Sequence, residues 1–316
     1  MYNGTTSQIK VGNKLSEKFA VNKGLRQGCC VSPTLFKIYI AKALNQWKRK
    51  CKGMGIDLGE MCLYTLQFAD DQVIIANDKD DIESENYKKG YQRWGLEISI
   101  QKTKYLPIGT NLSNVQLEND EAIEACDEYS YLGVIFDTTG KEDKEIKKRI
   151  TRKTIGCLNG IFWSQQIGKQ RKYNIYETII KSGLLYGAET WRITERNRRK
   201  LEAVEMDVFR RSLGISRGDR VRNEEVKLRM GVEGSLTTEI ERNQLIWYGH
   251  VQRMPNTRLP KRVMEWIPMG RRKRGRPRKT WKEGVSRAMS ERSLTEDQCS
   301  DRRTWKLGIG QRRKTF

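Results

Sequence analysis

Two adjacent carboxylates, Asp70 and Asp71, stand between two short β-prone apolar runs within residues 63–76. This pattern predicts a tight hairpin that holds both acids at its tip. Neighbouring carboxylates repel each other, so folding gains nothing from the pair, whereas Mg²⁺ selects oxygen ligands of this kind. A solvated turn explains the same residues, because Asp is common in turns. The pair alone therefore leaves two interpretations, a turn or a site for a divalent cation.

The charge balance of the chain indicates a polyanionic partner. Its 316 residues carry 61 Lys and Arg against 39 Asp and Glu, a formal net charge of +22. Such a surface attracts nucleic acid first and an anionic membrane second. The length allows two modest domains, or one domain with appendages.

Several classes of protein are disfavoured by composition. Seven cysteines without repeated spacing and a single histidine, His250, do not provide the ligands of a zinc finger. The lone histidine also argues against a Ser-His-Asp or Cys-His enzyme. No apolar run approaches the roughly 20 residues that span a bilayer, and the first residues show no signal-peptide pattern. We therefore expect an intracellular protein with reduced cysteines.

The elements before the carboxylate pair consist of β-prone segments, a loop and a helix. Residues 7–11 and 16–21 alternate and are joined across Gly12-Asn13. A glycine-bearing loop follows at residues 22–30, and Ser32 with Pro33 predicts the start of a helix that ends near Cys51. Such a loop before a helix can bring backbone N–H groups and Arg26 against a phosphate or a base. An ordinary connection between a strand and a helix is the alternative.

The elements after the pair predict an α+β fold with an antiparallel sheet and helices on one face. Asp80 or Asp81 starts a predicted helix that reaches about Trp94. A predicted strand at residues 95–100 is followed by a basic turn at 101–104, and residues 129–136 give a further strand signal. From Lys141 onward the pattern becomes helical. Three apolar faces mark this region: Ile146, Ile150, Ile155, Leu158, Phe162; Tyr176, Ile179, Ile180, Leu184, Leu185; Leu201, Val204, Val208, Phe209, Leu213.

Four of these segments, in the correct order, resemble the palm motifs of reverse transcriptases from non-LTR (LINE-type) retrotransposons. They are GLRQGCCVSPTLF at 24–36, FADD at 68–71, GLEISIQKTK at 95–104 and YLG at 131–133. Cys30 stands where proline is usual, Ser99 where asparagine is usual, and Phe68 where some relatives carry tyrosine. Residues 186–191 and 247–254 also resemble the region downstream of such palms.

The resemblance implies a role for each matched residue. Asp70 would hold the catalytic Mg²⁺, with Mn²⁺ as the alternative ion, and Asp71 would assist. Lys102 would lie near the pyrophosphate end of the incoming nucleotide. The loop residues Arg26, Gln27 and Gly28 would lie near the template and the nucleotide, and Tyr131, Leu132 and Gly133 would grip the primer end. The implied partners are an RNA template, a DNA primer or target, and deoxynucleotides, without a membrane.

The same resemblance predicts an N-terminally truncated fragment that is inactive alone. Two-metal phosphoryl transfer needs a further carboxylate, which the family places before the Gln-Gly loop. Upstream of Gly24 the only acidic residue is Glu17, and the expected fingers are also missing. A non-catalytic remnant or co-opted protein that binds RNA or DNA is the alternative function.

The predicted organisation has three parts: a partial palm at residues 1–140, a helical thumb or connector at 141–255 and a basic tail at 256–316. A bundle with solvated charged faces is the alternative for the second part. The tail has 19 Lys and Arg against 6 Asp and Glu, a net +13. Trp281 and Trp305 either dock this tail through small helices or stack on bases.

Within the tail, residues 271–279 resemble an AT-hook, whose extended Arg-Gly-Arg-Pro core lies in an A·T-rich minor groove. The cationic side chains are Arg271, Arg272, Lys273, Arg274, Arg276, Arg278 and Lys279. The same run suits nonspecific phosphate contact or a nuclear localisation signal, and we favour these two over groove reading. A nuclear location is the corresponding expectation.

Overall fold

The computed structural model describes residues 4–22, 24–26, 28–50, 55–79, 91–111, 113–117, 121–150, 152–267 and 279–310. These residues fall into two compact units: Met1–Tyr105 with Ser113–Ala125, and Leu106–Leu112 with Cys126–Phe316. The boundaries expected at residues 140 and 255 stay predictions. Among the helices of the described residues, none has the length and apolar character needed to cross a membrane.

In its described residues, the first unit combines a long helix, α1 (Ser32–Lys50), with short antiparallel strand pairs. Its strands are β1 (Thr6–Ser7), β2 (Lys10–Val11), β3 (Lys14–Leu15), β4 (Phe19–Ala20), β5 (Ile56–Asp57), β6 (Cys62–Leu63), β7 (Thr65–Phe68), β8 (Asp71–Ile74), β9 (Val115–Gln116) and β10 (Ala122–Ile123). They pair as β1 with β4, β2 with β3, β5 with β6, β7 with β8 and β9 with β10. The mixture of helix and antiparallel pairs confirms the α+β class.

Helix α1 (Ser32–Lys50) confirms the predicted helix. Pro33 suits the first turn because its fixed φ is already helical and its missing N–H needs no partner there. Ile40, Ala43 and Leu44 are buried at helical spacing. Ile40 and Leu44 form a small core with Tyr91. This core supports the hairpin that follows α1.

The prediction of a strand at residues 95–100 is wrong, because this segment forms a turn and irregular backbone. Its alternation is still meaningful, since Leu96 and Ile98 pack against the core of Ile40, Leu44 and Tyr91. Alternating burial needs only an extended chain, whereas a strand also needs a partner for its backbone hydrogen bonds. Most of the helix expected to start at Asp80 or Asp81 lies outside the described residues.

The second unit is a helical assembly with one hairpin. The hairpin pairs β11 (Glu128–Tyr131) with β12 (Val134–Asp137). The helices are α2 (Asp143–Arg149), α3 (Arg152–Cys157), α4 (Asn159–Trp163), α5 (Lys169–Ile175), a π-helical turn (Tyr176–Lys181), α6 (Ser182–Leu185), α7 (Glu195–Ser212), α8 (Asn223–Met230), α9 (Leu236–Gln252), α10 (Leu259–Glu265), α11 (Trp281–Ser290) and α12 (Arg302–Gly310). Short 3₁₀ turns lie at Ala188–Thr190, Arg217–Asp219 and Glu296–Cys299.

The main core of this unit confirms most of the predicted apolar faces. The buried members shared with the prediction are Ile146, Ile155, Phe162, Tyr176, Ile180, Leu184, Leu201, Val204, Val208 and Phe209. Ile179 is the exception, at 48% exposed. It lies in the π-helical turn, where each residue rotates less about the axis than in an α-helix. Position i+3 from Tyr176 therefore turns away from the face, while Ile180 stays on it.

A second core in this unit surrounds Tyr248 and Trp305. Trp305 is 2% exposed and donates its indole N–H to the Leu245 carbonyl oxygen at 3.0 Å. A Cβ on Gly249 would lie 2.1 Å from Trp305 Nε1, so only glycine lets the indole approach α9. Of the two interpretations of Trp305, docking is therefore the one that the structure shows.

Candidate functional site

The hairpin β7–β8 carries the carboxylate pair at its tip, as the sequence predicts. Its register pairs Thr65 with Ile74 and Phe68 with Asp71, which leaves Ala69 and Asp70 as the two-residue turn. Ala69 adopts a left-handed φ of 52°. Asp70 thus lies in the turn, Asp71 opens β8, and both side chains are exposed.

The body of this hairpin, rather than its tip, is fixed to the first unit. Gln72 donates to Thr65 Oγ1 at 3.0 Å and accepts a hydrogen bond from the Tyr91 hydroxyl. Ile74 packs on the core of α1. Burial raises the pKa of Tyr91 to about 12, so its hydroxyl stays protonated and remains a donor at neutral pH. The tip therefore projects from an anchored base.

Two exposed carboxylates fit a magnesium ion that also binds substrate. Mg²⁺ sites in enzymes of nucleotide chemistry often use one or two carboxylates plus substrate phosphates and water, rather than a cage made only of protein. Within the described part of the chain, no cluster of three or more His, Cys, Asp or Glu side chains is arranged to hold a metal.

The glycine-bearing loop is tied to the start of α1. The Arg26 carbonyl oxygen accepts a hydrogen bond from Ser32 Oγ at 2.9 Å and another from the Cys29 N–H at 3.3 Å. Gly28 has a φ of 85°, which favours glycine. The Arg26 side chain is exposed. Gln27 lies outside the described residues.

Lys102 sits in a tight turn. Its N–H donates to the Ser99 carbonyl oxygen at 3.1 Å, and Thr103 Oγ1 donates to the same oxygen at 2.9 Å. The Lys102 side chain is exposed, and among the described residues it forms no ion pair with Asp70 or Asp71. The structure thus places Arg26, Lys102 and the carboxylates in the first unit without an ion pair between the lysine and the acids.

The predicted primer-gripping residues form the turn of the second hairpin, β11–β12, which belongs to the second unit. Tyr131 pairs with Val134, and Leu132 and Gly133 form the turn with φ of 49° and 78°. The Leu132 carbonyl oxygen accepts a hydrogen bond from the Tyr186 hydroxyl at 2.8 Å, and the Gly133 carbonyl oxygen accepts one from Arg149 Nη2 at 2.6 Å. Both turn carbonyls are therefore bonded to the helical part of this unit.

A buried carboxylate organises these contacts. Glu145 is 1% exposed, accepts a hydrogen bond from Arg149 Nε at 2.5 Å and another from the Ile135 N–H at 2.7 Å. The Arg149 guanidinium also lies 4.7 Å from the centroid of the Tyr186 ring, in a cation–π arrangement. The motif at 186–191 marks Tyr186 in the sequence. Sequence reasoning missed Glu145 and Arg149, which lie among many other charged residues.

Comparisons with known proteins agree with these features. Residues 2–136 match the family described as reverse transcriptase (RNA-dependent DNA polymerase). The first part of the chain is therefore similar to a reverse transcriptase domain, and the relatives that it matches come from mobile elements. Over 298 residues it is 23% identical to the RNA-directed DNA polymerase from mobile element jockey of Drosophila funebris, an alignment that covers 90% of this chain and 31% of the relative.

A second relative matches a smaller part of the chain. The transposon TX1 uncharacterized 149 kDa protein of Xenopus laevis is 28% identical over 83 residues, which cover 26% of this chain and 6% of that protein. The alignment with this chain therefore covers about a third of the jockey polymerase and a much smaller part of the TX1 protein.

The reverse transcriptase match includes the loop, the carboxylate hairpin and the turn at 131–133, whereas Arg149 and Tyr186 lie beyond it.

Of the basic run at residues 271–279, the structure describes Lys279. Arg271, Arg272, Lys273, Arg274, Arg276 and Arg278 lie outside the described residues, and Lys279 is exposed. Directly after it, Trp281 donates its indole N–H to the Glu189 carbonyl oxygen at 2.8 Å, which docks the start of α11.

Proposed function

We propose that this chain works as part of an RNA-directed DNA polymerase that adds deoxynucleotides to the 3′ end of a primer on an RNA template. The observation that carries the proposal is the exposed pair Asp70 and Asp71 at the tip of an anchored hairpin, within the residues that match the reverse transcriptase family. The net charge of +22 suits a protein that holds nucleic acid.

Asp70 and Asp71 would hold Mg²⁺, with Mn²⁺ as the alternative. The bound ion would offset the negative charge of the nucleotide phosphates and favour deprotonation of the primer hydroxyl. The protein's part would be to present two carboxylates on a hairpin whose body is anchored through Gln72, Tyr91 and Ile74. Preorganised ligands lower the free energy spent on arranging the site during the reaction.

The remaining residues would orient the reactants. The primer 3′ hydroxyl would lose its proton to solvent water, and its oxygen would form a bond to the α-phosphorus. The bond from that phosphorus to the bridging oxygen would break, and pyrophosphate would leave with its negative charge. Lys102 would stabilise that charge, and Arg26, Gln27 and Gly28 would contact the template and the nucleotide. Tyr131, Leu132 and Gly133 would hold the primer end. Partial palm and thumb roles for the two parts of the chain belong to the same proposal.

The basic run at residues 271–279 would contact nucleic-acid phosphates or direct the protein to the nucleus. Replacing its seven Lys and Arg by Gln should weaken RNA binding and flatten its dependence on salt, since each phosphate contact contributes about one unit of slope. The same number of neutralised Lys and Arg elsewhere on the second unit provides the control. Unchanged binding and an unchanged salt slope would overturn this role of the run.

We also expect the 316-residue chain alone to extend primers weakly or not at all. Two-metal phosphoryl transfer uses a third carboxylate, and the first 23 residues contain no Asp. Extension of oligo(dT) on poly(rA) by the purified chain tests this expectation. Robust extension that is abolished by Asp70→Ala would overturn the expectation of inactivity and support the proposed site.

The metal site has its own test, which does not require turnover. At each total concentration of Mn²⁺, free Mn²⁺ measured by electron paramagnetic resonance should be lower with the chain and dTTP than with the same amount of dTTP alone. Asp70→Asn should weaken that binding about tenfold, because one of two charged ligands is lost. Asp78→Asn, which changes an exposed carboxylate shortly after the same hairpin, is the control. Equal Mn²⁺ binding by Asp70→Asn and the wild type would contradict the proposal.

A further inference from the structure

The turn at Leu132 and Gly133 is held by side chains that lie outside the matched family region. Tyr186 and Arg149 each donate a hydrogen bond to one turn carbonyl, at 2.8 Å and 2.6 Å. A two-residue turn at the end of a hairpin is ordinarily its most mobile part. Here both of its carbonyl groups are tied to helical elements of the same unit.

The three side chains also fix one another. Glu145 orients Arg149 through Nε, so the guanidinium reaches Gly133 with a different nitrogen. The same carboxylate accepts the Ile135 N–H, which anchors the strand that leaves the turn. The Arg149 guanidinium then lies against the Tyr186 ring, whose hydroxyl reaches Leu132. A planar, always charged guanidinium suits this arrangement better than a lysine ammonium, because it donates in several fixed directions.

The turn at Leu132 and Gly133 also lies within van der Waals distance of the segment at 186–187. Gly133 has a φ of 78°, and a Cβ on it would lie 3.7 Å from the Tyr186 ring. On the other side, a Cβ on Gly187 would lie 3.4 Å from Val134 Cγ2. The hairpin tip and the segment at 186–187 therefore approach each other through two glycines, one in each segment.

We propose that Glu145, Arg149 and Tyr186 are positioning residues that hold the 131–133 turn in place for the primer 3′ end. The inference rests on the proposed function, which assigns the primer end to that turn. It adds that the grip is set by the helical segments beyond the matched region, so changes at 149 or 186 alter recognition of the primer end without touching the carboxylates. None of the three residues is itself a catalytic residue.

The test compares the affinity for two nucleic acids of equal length, an RNA–DNA hybrid with a recessed primer 3′ end and a blunt hybrid. Tyr186→Phe removes only the hydroxyl and keeps the ring beneath Arg149. It should reduce the preference for the recessed end about threefold to tenfold, the effect of one hydrogen bond, while affinity for the blunt hybrid stays unchanged. Arg149→Lys should have an equal or larger effect.

Two controls separate positioning from folding. Tyr129→Phe removes a hydroxyl from the same hairpin outside the network, and it should leave the preference unchanged. Amide hydrogen exchange of residues 131–135 should accelerate in Tyr186→Phe and Arg149→Lys but not in Tyr129→Phe. Faster exchange with an unchanged preference would show a purely structural role and overturn the proposal.

The remaining outcomes also decide between the two proposals. If the wild type binds recessed and blunt hybrids equally, the turn does not hold a primer end, and both the primer role and its positioning are overturned. If the wild type prefers the recessed end and both variants keep that preference, the positioning proposal is overturned and the primer role of the turn stands.

Discussion

The two hairpins β7–β8 and β11–β12 have the same strand and turn lengths and are held in opposite ways. Each pairs two four-residue strands through a two-residue turn, in which φ is positive at Ala69 alone in the first hairpin and at both Leu132 and Gly133 in the second. In β7–β8 the anchoring contacts are in the body, at Gln72 and Ile74, and the tip is exposed. In β11–β12 the tip itself is bonded, through both turn carbonyls.

This difference follows from what each tip would present. A carboxylate pair that shares a metal ion with substrate phosphates has to stay accessible. Its anchoring contacts would therefore lie in the strands of the hairpin and not at the tip. A turn that acts through its backbone has to keep that backbone in one place, so support at the tip is an advantage. Under the proposed function, the two hairpins would thus serve two tasks, and the location of the anchoring side chains would distinguish them.

Removing the central anchor of the second hairpin should give the largest effect. Glu145→Ala takes away a buried carboxylate and leaves Arg149 and the Ile135 N–H without their acceptor. The free energy of unfolding of the second unit should fall by about 3 kcal/mol, measured by urea denaturation. Glu195→Ala, at an exposed ion pair, should change it by less than about 0.5 kcal/mol. Similar effects from both variants would show that Glu145 is not the anchor of the second hairpin.

Exchange of glycine and alanine should change stability more in the second turn than in the first. Gly133→Ala places a Cβ at a φ of 78° and should cost about 1–2 kcal/mol. Ala69→Gly relieves similar strain at a φ of 52° but adds freedom to the unfolded chain, so its effect should lie within about 0.5 kcal/mol. Thermal denaturation of both variants measures this contrast. A loss for Ala69→Gly as large as for Gly133→Ala would contradict it.

The body contact of the first hairpin should contribute less. Tyr91→Phe removes the hydrogen bond to Gln72 and should cost about 1 kcal/mol at pH 7. Burial raises the pKa of Tyr91 from 10.0 to about 12, so the neutral phenol is favoured in the folded state. The contribution of the Tyr91 hydroxyl to the free energy of unfolding should be complete below pH 10 and be lost as the pH rises towards 12.

Denaturation curves from pH 7 to 11 test this dependence. The stability difference between wild type and Tyr91→Phe should narrow above pH 10, whereas Tyr129→Phe, at an exposed tyrosine, should follow the wild type throughout. A difference that stays constant to pH 11 would show that Tyr91 is not held protonated by burial.

The sequence predicted well those features that depend on neighbouring residues. The carboxylate hairpin follows from two alternating runs around Asp70 and Asp71, and the start of α1 follows from Ser32 and Pro33. Both are decided within a few residues of the chain. The buried faces at Ile146 and Phe209 also follow from local periodicity.

Features that depend on distant partners could not be predicted in this way. From the sequence, Glu145 and Arg149 look like solvated charges on α2. Their partners are distant in the chain: Gly133 and Ile135 provide the hydrogen bonds, and Tyr186 provides the aromatic ring. Residues 95–100 have strand-like alternation, but the ladder partner that the pattern implies is absent in the described residues. Ile179 was misplaced because a π-helical turn changes the rotation per residue.

Metal-directed cleavage of the polypeptide tests the central claim most directly. When hydrogen peroxide and ascorbate are added, Fe²⁺ bound in place of Mg²⁺ reduces the peroxide to hydroxide and a hydroxyl radical, and ascorbate reduces the Fe³⁺ back to Fe²⁺. The radicals cut the backbone near the ion, and the fragments are mapped by mass spectrometry. We predict cuts within residues 65–74 that require Asp70 and Asp71 and are lost in the double variant Asp70→Asn/Asp71→Asn, whose stability should change by less than about 0.5 kcal/mol because both side chains are exposed. Cuts at the hairpin that persist in the double variant, or no cuts there in the wild type, would contradict the metal site.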